Sequence, residues 1–334
     1  MTRPLRTAVI GLGFGQFQAQ TLINLPEYAL VAVADRNPAR DLSAYERRYG
    51  VRGYHDALEL LEREDLDAVI ISTSPKGRAP LLQVASARQL AIFVEKPWAA
   101  NLVQAREYAA ICAEGMVMLG FSFRFLPVVQ RLYALLKGEL GMPWVASAEY
   151  LSNYLPPPES WLWDADDGGG YFNENSCHLL DVLCYLMGDV ASVYAKGTRF
   201  TGRPSEESAA VTLEFASGAV ASVLLGGCGA AAQQHYPRLN LITANGQAQL
   251  LGRDHIWTAL HWARREQGEL QVIETQPERL SETRYVSALR HFAACVDGAK
   301  APESGVADGV RAVALAEAIY RSLVTGSAVN LEAL

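Results

Sequence analysis

Cysteine is scarce and follows no pairing pattern: Cys112, Cys177, Cys184, Cys228 and Cys295 are five residues in 334, an odd number without one Cys-x-x-Cys spacing. That argues against a disulfide framework or a cysteine zinc site, and points to a reduced, cytoplasmic chain with no metal. Basic runs never exceed a pair such as Arg47-Arg48 or Arg264-Arg265, and the net charge is −7. Nucleic acid and anionic membrane surfaces are therefore not expected as main partners, and small molecules are. Long apolar runs are missing too. "TAVIGL" is too short and too glycine-interrupted for a signal-peptide core, and no small-residue cleavage site follows it. The most apolar stretch, "AVASVLLGGCGAAA" at 219–232, falls short of the roughly 18 residues a membrane span needs. It reads as a strand running into a flexible loop.

What is present is ample core material, since half the residues are hydrophobic, enough for two domains. From residue 6 to about 120, β-branched runs alternate with helical patterns: "TAVIG", "ALVAVAD", "DAVIIST", "AIFVEKP" and "MVMLGF" are separated by helices expected at 17–25, 38–49, 79–89 and 101–114. Such alternation means βαβ units with a parallel sheet. Past residue 140 the strand-like runs are "WVASAEYL", "ASVYAKGTRF", "AAVTLEF", "AVASVLL", "LNLITA" and "QAQLLG". Turn signals at 216–218 ("ASG") and 245–246 ("NG") predict antiparallel hairpins between two pairs of them. Helices return at 284–297 and 304–325. No internal repeat or low-complexity linker interrupts the chain, and the domain change is expected between Phe121 and Gly141. The predicted fold is α/β: a doubly wound Rossmann domain over 1–123, and an α+β domain with a large, mostly antiparallel sheet over 124–334.

The first βα turn, "VIGLGFGQFQAQ", holds Gly11 and Gly13 at the first two positions of a dinucleotide fingerprint. One allows the tight turn, and the other allows a pyrophosphate to approach the positive end of the helix. The third position carries Gln16, with Gly15 one place early, so the turn is a residue shorter or the helix packs more loosely. Asp35 ends the second strand 24 residues after Gly11, where a carboxylate can accept hydrogen bonds from an adenosine ribose and repel a 2′-phosphate. This favours NAD; Arg36 keeps NADP open by pairing with that phosphate or stacking on adenine.

At the end of the fourth expected strand stands "FVEKPW". Pro97 removes an amide donor and disfavours helix at Lys96, so the strand ends with Lys96 at the carboxyl edge, where doubly wound sheets bind ligands. A surface turn is the plain alternative. The ligand-side reading makes Lys96 a group that orients substrate and lowers a hydroxyl pKa by its charge.

The stretch "GGGYFNENSCHLLDVLCYLMGD", 168–189, reads as one amphipathic helix. On a wheel Glu174, His178, Asp181 and Tyr185 fall within about 60° of each other, opposite Leu179, Leu180, Val182, Leu183, Leu186 and Met187. The polar line is either a solvated face or the wall of a cleft in which a histidine and a carboxylate handle a hydroxyl proton.

Together with "VAVADRNPAR", "DAVIISTSP", "VEKPWAANLVQARE", "GFSFRFLP" and the helical tail, these motifs resemble the Gfo/Idh/MocA family of NAD(P)-dependent oxidoreductases along nearly the whole chain. The resemblance implies a Rossmann domain followed by an α/β domain with a large sheet, an active site between them, and homodimers or homotetramers formed through the sheet face. It implies Lys96, His178 and Glu174 as catalytic residues, glutamate replacing the commonest aspartate. Gly11, Gly13, Phe14, Gly15, Asp35, Arg36, Thr73, Glu95 and Lys96 become the cofactor contacts, and Arg124 and Asp181 substrate-side groups, Asp181 as an orienting residue behind them. Where relatives often carry "TPPxxH", this chain has "STSPKGR", and Arg78 near the histidine's place is expected to alter nicotinamide or substrate contacts.

The implied activity is hydride transfer between nicotinamide and a hydroxyl or keto carbon of a sugar, inositol or related polyol, with His178 or Lys96 moving the hydroxyl proton. Trp163, with Trp161, is a candidate to stack on a sugar face, local packing being the alternative. A sensor of the same fold that binds NAD(P) without turnover is the competing function; Lys96, His178 and Glu174 count against it.

Overall fold

All five β-branched runs expected as strands before residue 120 are strands in the computed structural model, which describes residues 3–230, 237–253, 255–266 and 268–333. They are β1 (Leu5–Ile10), β2 (Tyr28–Ala34), β4 (Ala68–Ile71), β5 (Ala91–Val94) and β6 (Val117–Leu119), joined by an unexpected β3 (Arg52–Tyr54). The three residues of β3 have no buried member and so leave no apolar signature. The strand order is β3-β2-β1-β4-β5-β6, with every neighbouring pair parallel. That is the doubly wound dinucleotide-binding order, whose direction reverses between β1 and β4. Every residue of β4 and β5 is buried, as expected for a parallel sheet covered on both faces.

The chain divides into two compact units, Met1–Gly120 with Val286–Val310, and Phe121–Tyr285 with Arg311–Leu334. Part of the tail that the sequence assigns to the second domain thus clusters with the first. Phe292 packs edge-on against Phe93 with centroids 5.6 Å apart, and the Tyr28 hydroxyl donates to the Leu289 carbonyl.

Among the described residues the second unit is built on nine strands: β7 (Pro143–Leu151), β8 (Val190–Thr198), β9 (Ser208–Phe215), β10 (Val220–Gly226), β11 (Arg238–Thr243), β12 (Gly246–Arg253), β13 (Ile256–Arg264), β14 (Gln271–Glu274) and β15 (Val329–Asn330). Their order is β14-β13-β12-β11-β7-β10-β9-β8-β15. Both expected hairpins are antiparallel, and among the described residues the one parallel pair in this sheet is β7 with β10. Strands β13 to β15 were not expected. Burial in β13 breaks the period of two, near a register shift at Leu251/Gly252, which blurs the alternation that marks a strand. In β9, β10 and β11 burial alternates cleanly, so one face of the sheet packs on the core and the other is open. The core joins inward residues such as Leu213, Val223, Leu241 and Leu250 to Leu132, Leu179, Leu183 and Ile319 from three helices. In the stretch expected to run from strand into loop, the strand is β10, and 231–232 lie outside the described residues. Among the described residues no helix is long and apolar enough to cross a membrane.

Candidate active site

In the first unit the glycine turn sits at the carboxyl end of β1. Gly11 has φ +87°, and a Cβ there would meet the Ser72 main chain at 2.9 Å, so this position admits only glycine. A Cβ on Gly13 would meet nothing within 4 Å, leaving its backbone open to a ligand. Gly15 opens the helix Gly15–Ile23, and a Cβ there would come within 3.0 Å of Ser72 and 3.1 Å of Val9. Gly15 therefore provides the close helix–strand packing of the third fingerprint glycine. The turn is shorter rather than looser, and Gln16 is released to point elsewhere. Phe14 is 42% exposed beside the turn.

Asp35 follows β2, and its carboxylate already has internal work. Oδ2 accepts from the Leu12 amide at 2.8 Å and pairs with Arg40 Nε at 3.2 Å, while Oδ1 accepts from the Asn37 amide at 2.9 Å. Arg40 also donates to Gln16 Oε1 at 3.2 Å. Arg36, the cation singled out from sequence, is exposed. Arg40 was missed, and its signal was the turn: Asn37 Oδ1 accepts from the Ala39 amide at 3.0 Å, and the Arg40 amide bonds back to the Asn37 carbonyl.

Glu95 is buried and accepts from Gln18 Nε2 at 2.6 Å; Ser72 Oγ in turn donates to Gln18 Oε1. Lys96 is half-buried, and its peptide bond to Pro97 is cis. The Thr73 hydroxyl is buried without a hydrogen-bond partner among the described residues. An open Gly13, an unspent Thr73 hydroxyl, a carboxylate ending β2 and a helix start with no side-chain cap together fit a dinucleotide. Arg78, near the place of the relatives' histidine and expected to alter nicotinamide or substrate contacts, is fully buried. Its guanidinium donates to the main-chain carbonyls of Pro97 and Trp98 at 2.5 and 3.0 Å and to that of Thr73.

In the second unit the single expected helix is two: Tyr171–Glu174 and Cys177–Met187. The Ser176 amide reaches the Tyr171 carbonyl five residues back at 3.4 Å, a wide turn that shifts the phase, so one wheel cannot describe both pieces. Gly170, φ +88°, begins the first piece against the Tyr320 hydroxyl, which also takes the Phe172 amide at 3.1 Å. Glu174 is half-buried on the short piece, and its carbonyl takes the Cys177 thiol at 3.2 Å.

The solvated-face reading of the longer helix fails: His178 is 9% and Asp181 3% exposed. The imidazole of His178 stacks on Phe123, centroids 4.6 Å apart and 12° from parallel. Asp181 forms a two-pronged pair with Arg124, Oδ2 to Nε at 2.9 Å and Oδ1 to Nη2 at 2.5 Å, with both side chains almost wholly buried. The Arg124 guanidinium also lies 4.8 Å over the ring of Tyr185, which stacks on Tyr133. Burial pushes the Cys184 thiol up to about 12, so Cys184 offers no thiolate nucleophile at neutral pH. Trp163 is buried, donates to the Pro157 carbonyl at 3.0 Å and stacks on Tyr171; Trp161 is the exposed one of the pair, at 42%. Sequence reasoning also missed Phe123, visible only as the second aromatic of "GFSFRF".

Residues 5–123 match the oxidoreductase family with an NAD-binding Rossmann fold, and residues 129–249 match the GFO/IDH/MocA C-terminal domain. The chain is 26% identical over 357 residues to a D-apiose dehydrogenase of Paraburkholderia graminis, covering 98% of this chain and 90% of that protein. To the scyllo-inositol 2-dehydrogenase (NAD(+)) of Bacillus subtilis it is 29% identical over 318 residues, covering 90% and 89%. A levoglucosan dehydrogenase solved with NADH and levoglucosan shares the fold, with a TM-score of 0.86 at 21% identity over 98% of this chain and all of that one. With its Rossmann half and its C-terminal half both matched, the chain belongs to the Gfo/Idh/MocA family of NAD(P)-dependent oxidoreductases.

Proposed function

We propose that this protein is a dehydrogenase that moves hydride between NAD and a hydroxyl-bearing carbon of a sugar, inositol or related polyol. The observation that carries the reading is His178, a buried imidazole held flat on Phe123 in a chain that also keeps Lys96 at the carboxyl edge of the Rossmann sheet. A sensor needs no such proton-handling set. The relatives are a D-apiose dehydrogenase and a scyllo-inositol 2-dehydrogenase, which supports polyhydroxylated substrates as a class.

Residues 1–123 would hold the cofactor, through Gly11, Gly13, Phe14, Gly15, Asp35, Thr73 and Glu95, and residues 124–334 the substrate. Bound nicotinamide supplies the hydride acceptor or donor at C4. The Lys96 ammonium orients the reacting hydroxyl and favours its alkoxide, and His178 takes or returns the proton. Glu174 sets the protonation state of that group or positions the hydroxyl. Asp181 and Arg124, spent on each other, orient the helix carrying His178 rather than binding the substrate themselves. NAD is favoured over NADP because Asp35 is negative where a 2′-phosphate would sit and Arg40 is tied to it. The open sheet face exposes Val145, Leu151, Val220, Leu224 and Ile242, an apolar surface suited to a homodimer or homotetramer. Cysteines without disulfides fit a reducing cytoplasm.

The test is a fluorescence titration with NADH and NADPH, then a panel of apiose, inositol isomers and related polyols followed by nicotinamide absorbance. Lys96→Ala and His178→Ala should each lower kcat at least about 100-fold while cofactor binding is retained. Tight NADH binding with no turnover across the panel in wild type would make the protein a sensor.

A further inference from the structure

The helix Arg78–Ala87 begins with a residue that local rules disfavour there. A cation in the first turn opposes the helix dipole, and burying a guanidinium carries a desolvation cost unless it is fully bonded. Arg78 is nevertheless 0% exposed. Its two terminal nitrogens join two separate segments at the carboxyl edge of the sheet: Nη1 donates to the Pro97 and Trp98 carbonyls after β5, and Nη2 to the Thr73 carbonyl after β4. A planar fork can serve carbonyls that diverge in this way, whereas the compact ammonium of lysine cannot hold all three. A residue that violates local preference and is held by carbonyls from two separate loops marks a functional position more often than a packing accident.

We propose that Arg78 is a positioning residue for the reaction. It fixes the Lys96-Pro97-Trp98 segment to the Thr73 segment, so that the Lys96 amine and the Thr73 hydroxyl keep one mutual placement. The inference rests on Lys96 acting on the substrate hydroxyl. Other ties hold these loops without Arg78: Tyr108 Oη donates to the Pro75 carbonyl at 2.8 Å, and Trp98 Nε1 to the Ala105 carbonyl at 3.0 Å. Loss of the guanidinium therefore loosens the edge without unfolding the sheet.

The experiment compares wild type, Arg78→Met and Arg78→Lys in steady-state kinetics with NAD and scyllo-inositol or D-apiose, and in hydrogen–deuterium exchange of the intact protein. Arg78→Met should lower kcat about 100-fold, the scale of a misplacement near one ångström, with KM for the polyol within about twofold. Arg78→Lys, which retains one donor head, should lose about 10-fold; it also replaces the Met variant should that fail to fold. Exchange should rise in peptides covering 72–77 and 94–101 together and stay unchanged over β7 to β12. A kcat within twofold of wild type, or exchange unaltered in both segments, would overturn the inference while leaving the dehydrogenase intact. Absence of turnover in wild type across the whole polyol panel would instead sink the dehydrogenase reading and this inference with it.

Discussion

The imidazole of His178 lies flat against the ring of Phe123, with centroids 4.6 Å apart and planes 12° from parallel. Phe123 is itself held edge-on by Trp257 at 5.5 Å and Tyr150 at 6.3 Å, and the Arg284 guanidinium lies 4.7 Å over the same ring. The ring thus restricts the tilt of the imidazole, and aromatic stacking of this kind contributes about 0.5–1.5 kcal/mol beyond burial.

Replacing that flat surface should free the imidazole. Phe123→Leu is expected to cost about 1–2 kcal/mol of stability, to move the His178 ring protons downfield in NMR as the ring current is lost, and to lower kcat about 10-fold. Phe123→Tyr should keep all three near wild type. Imidazole resonances that do not move in the Leu variant would show that the stack is not populated in solution.

The Arg124–Asp181 pair is buried on both sides, so removing one partner leaves a charge without its counterion. Asp181→Leu should destabilise the protein by about 3–5 kcal/mol, measured by urea unfolding. Adding Arg124→Met should recover part of that loss, because no uncompensated charge remains. Strictly additive losses would mean that the two side chains do not depend on one another.

Cofactor preference should turn on Asp35, Arg40 and Gln16. With Asp35→Ser the carboxylate proposed to face the ribose is gone and Arg40 is released from it, so the NADPH to NADH affinity ratio should rise about 10- to 100-fold. Fluorescence titration reads this without turnover. An unchanged ratio would place the discriminating contacts elsewhere.

Asp67 supplies a pH-dependent contribution to stability. Burial pushes its carboxyl up, but the two-pronged bond from Arg3 and the Arg6 amide outweigh burial and hold it below the ordinary aspartate range. A carboxyl depressed in the folded state stabilises above the unfolded pKa, and that stabilisation fades as pH falls through the folded value. Asp67→Asn should therefore lower Tm by about 1–3 °C at neutral pH, with the difference from wild type shrinking below about pH 4. A gap constant with pH would remove the ion pair as its source.

Features written in short stretches of chain were legible from sequence. The glycine spacing, Asp35 at the end of a strand, Pro97 after Lys96 and the hairpin signals at 216–218 and 245–246 each state a backbone preference within a few residues, and the structure follows them. The helix at 171–187 defeated that approach, because one wide turn at Ser176 resets the helical phase and no propensity announces it. Trp163 was offered for a sugar face, yet its indole N–H is satisfied by Pro157 inside the core.

The alternation of strand and helix, the position of the glycine turn and the identity of the ionisable groups follow from local dihedral preference and side-chain chemistry. The partners of those groups follow from how the chain packs. Arg124 is occupied by Asp181 across 57 residues, and Arg78 by carbonyls 19 and 20 residues away. Long side chains reach partners brought close by sheet order and helix packing, and no local pattern encodes which partner a guanidinium will find.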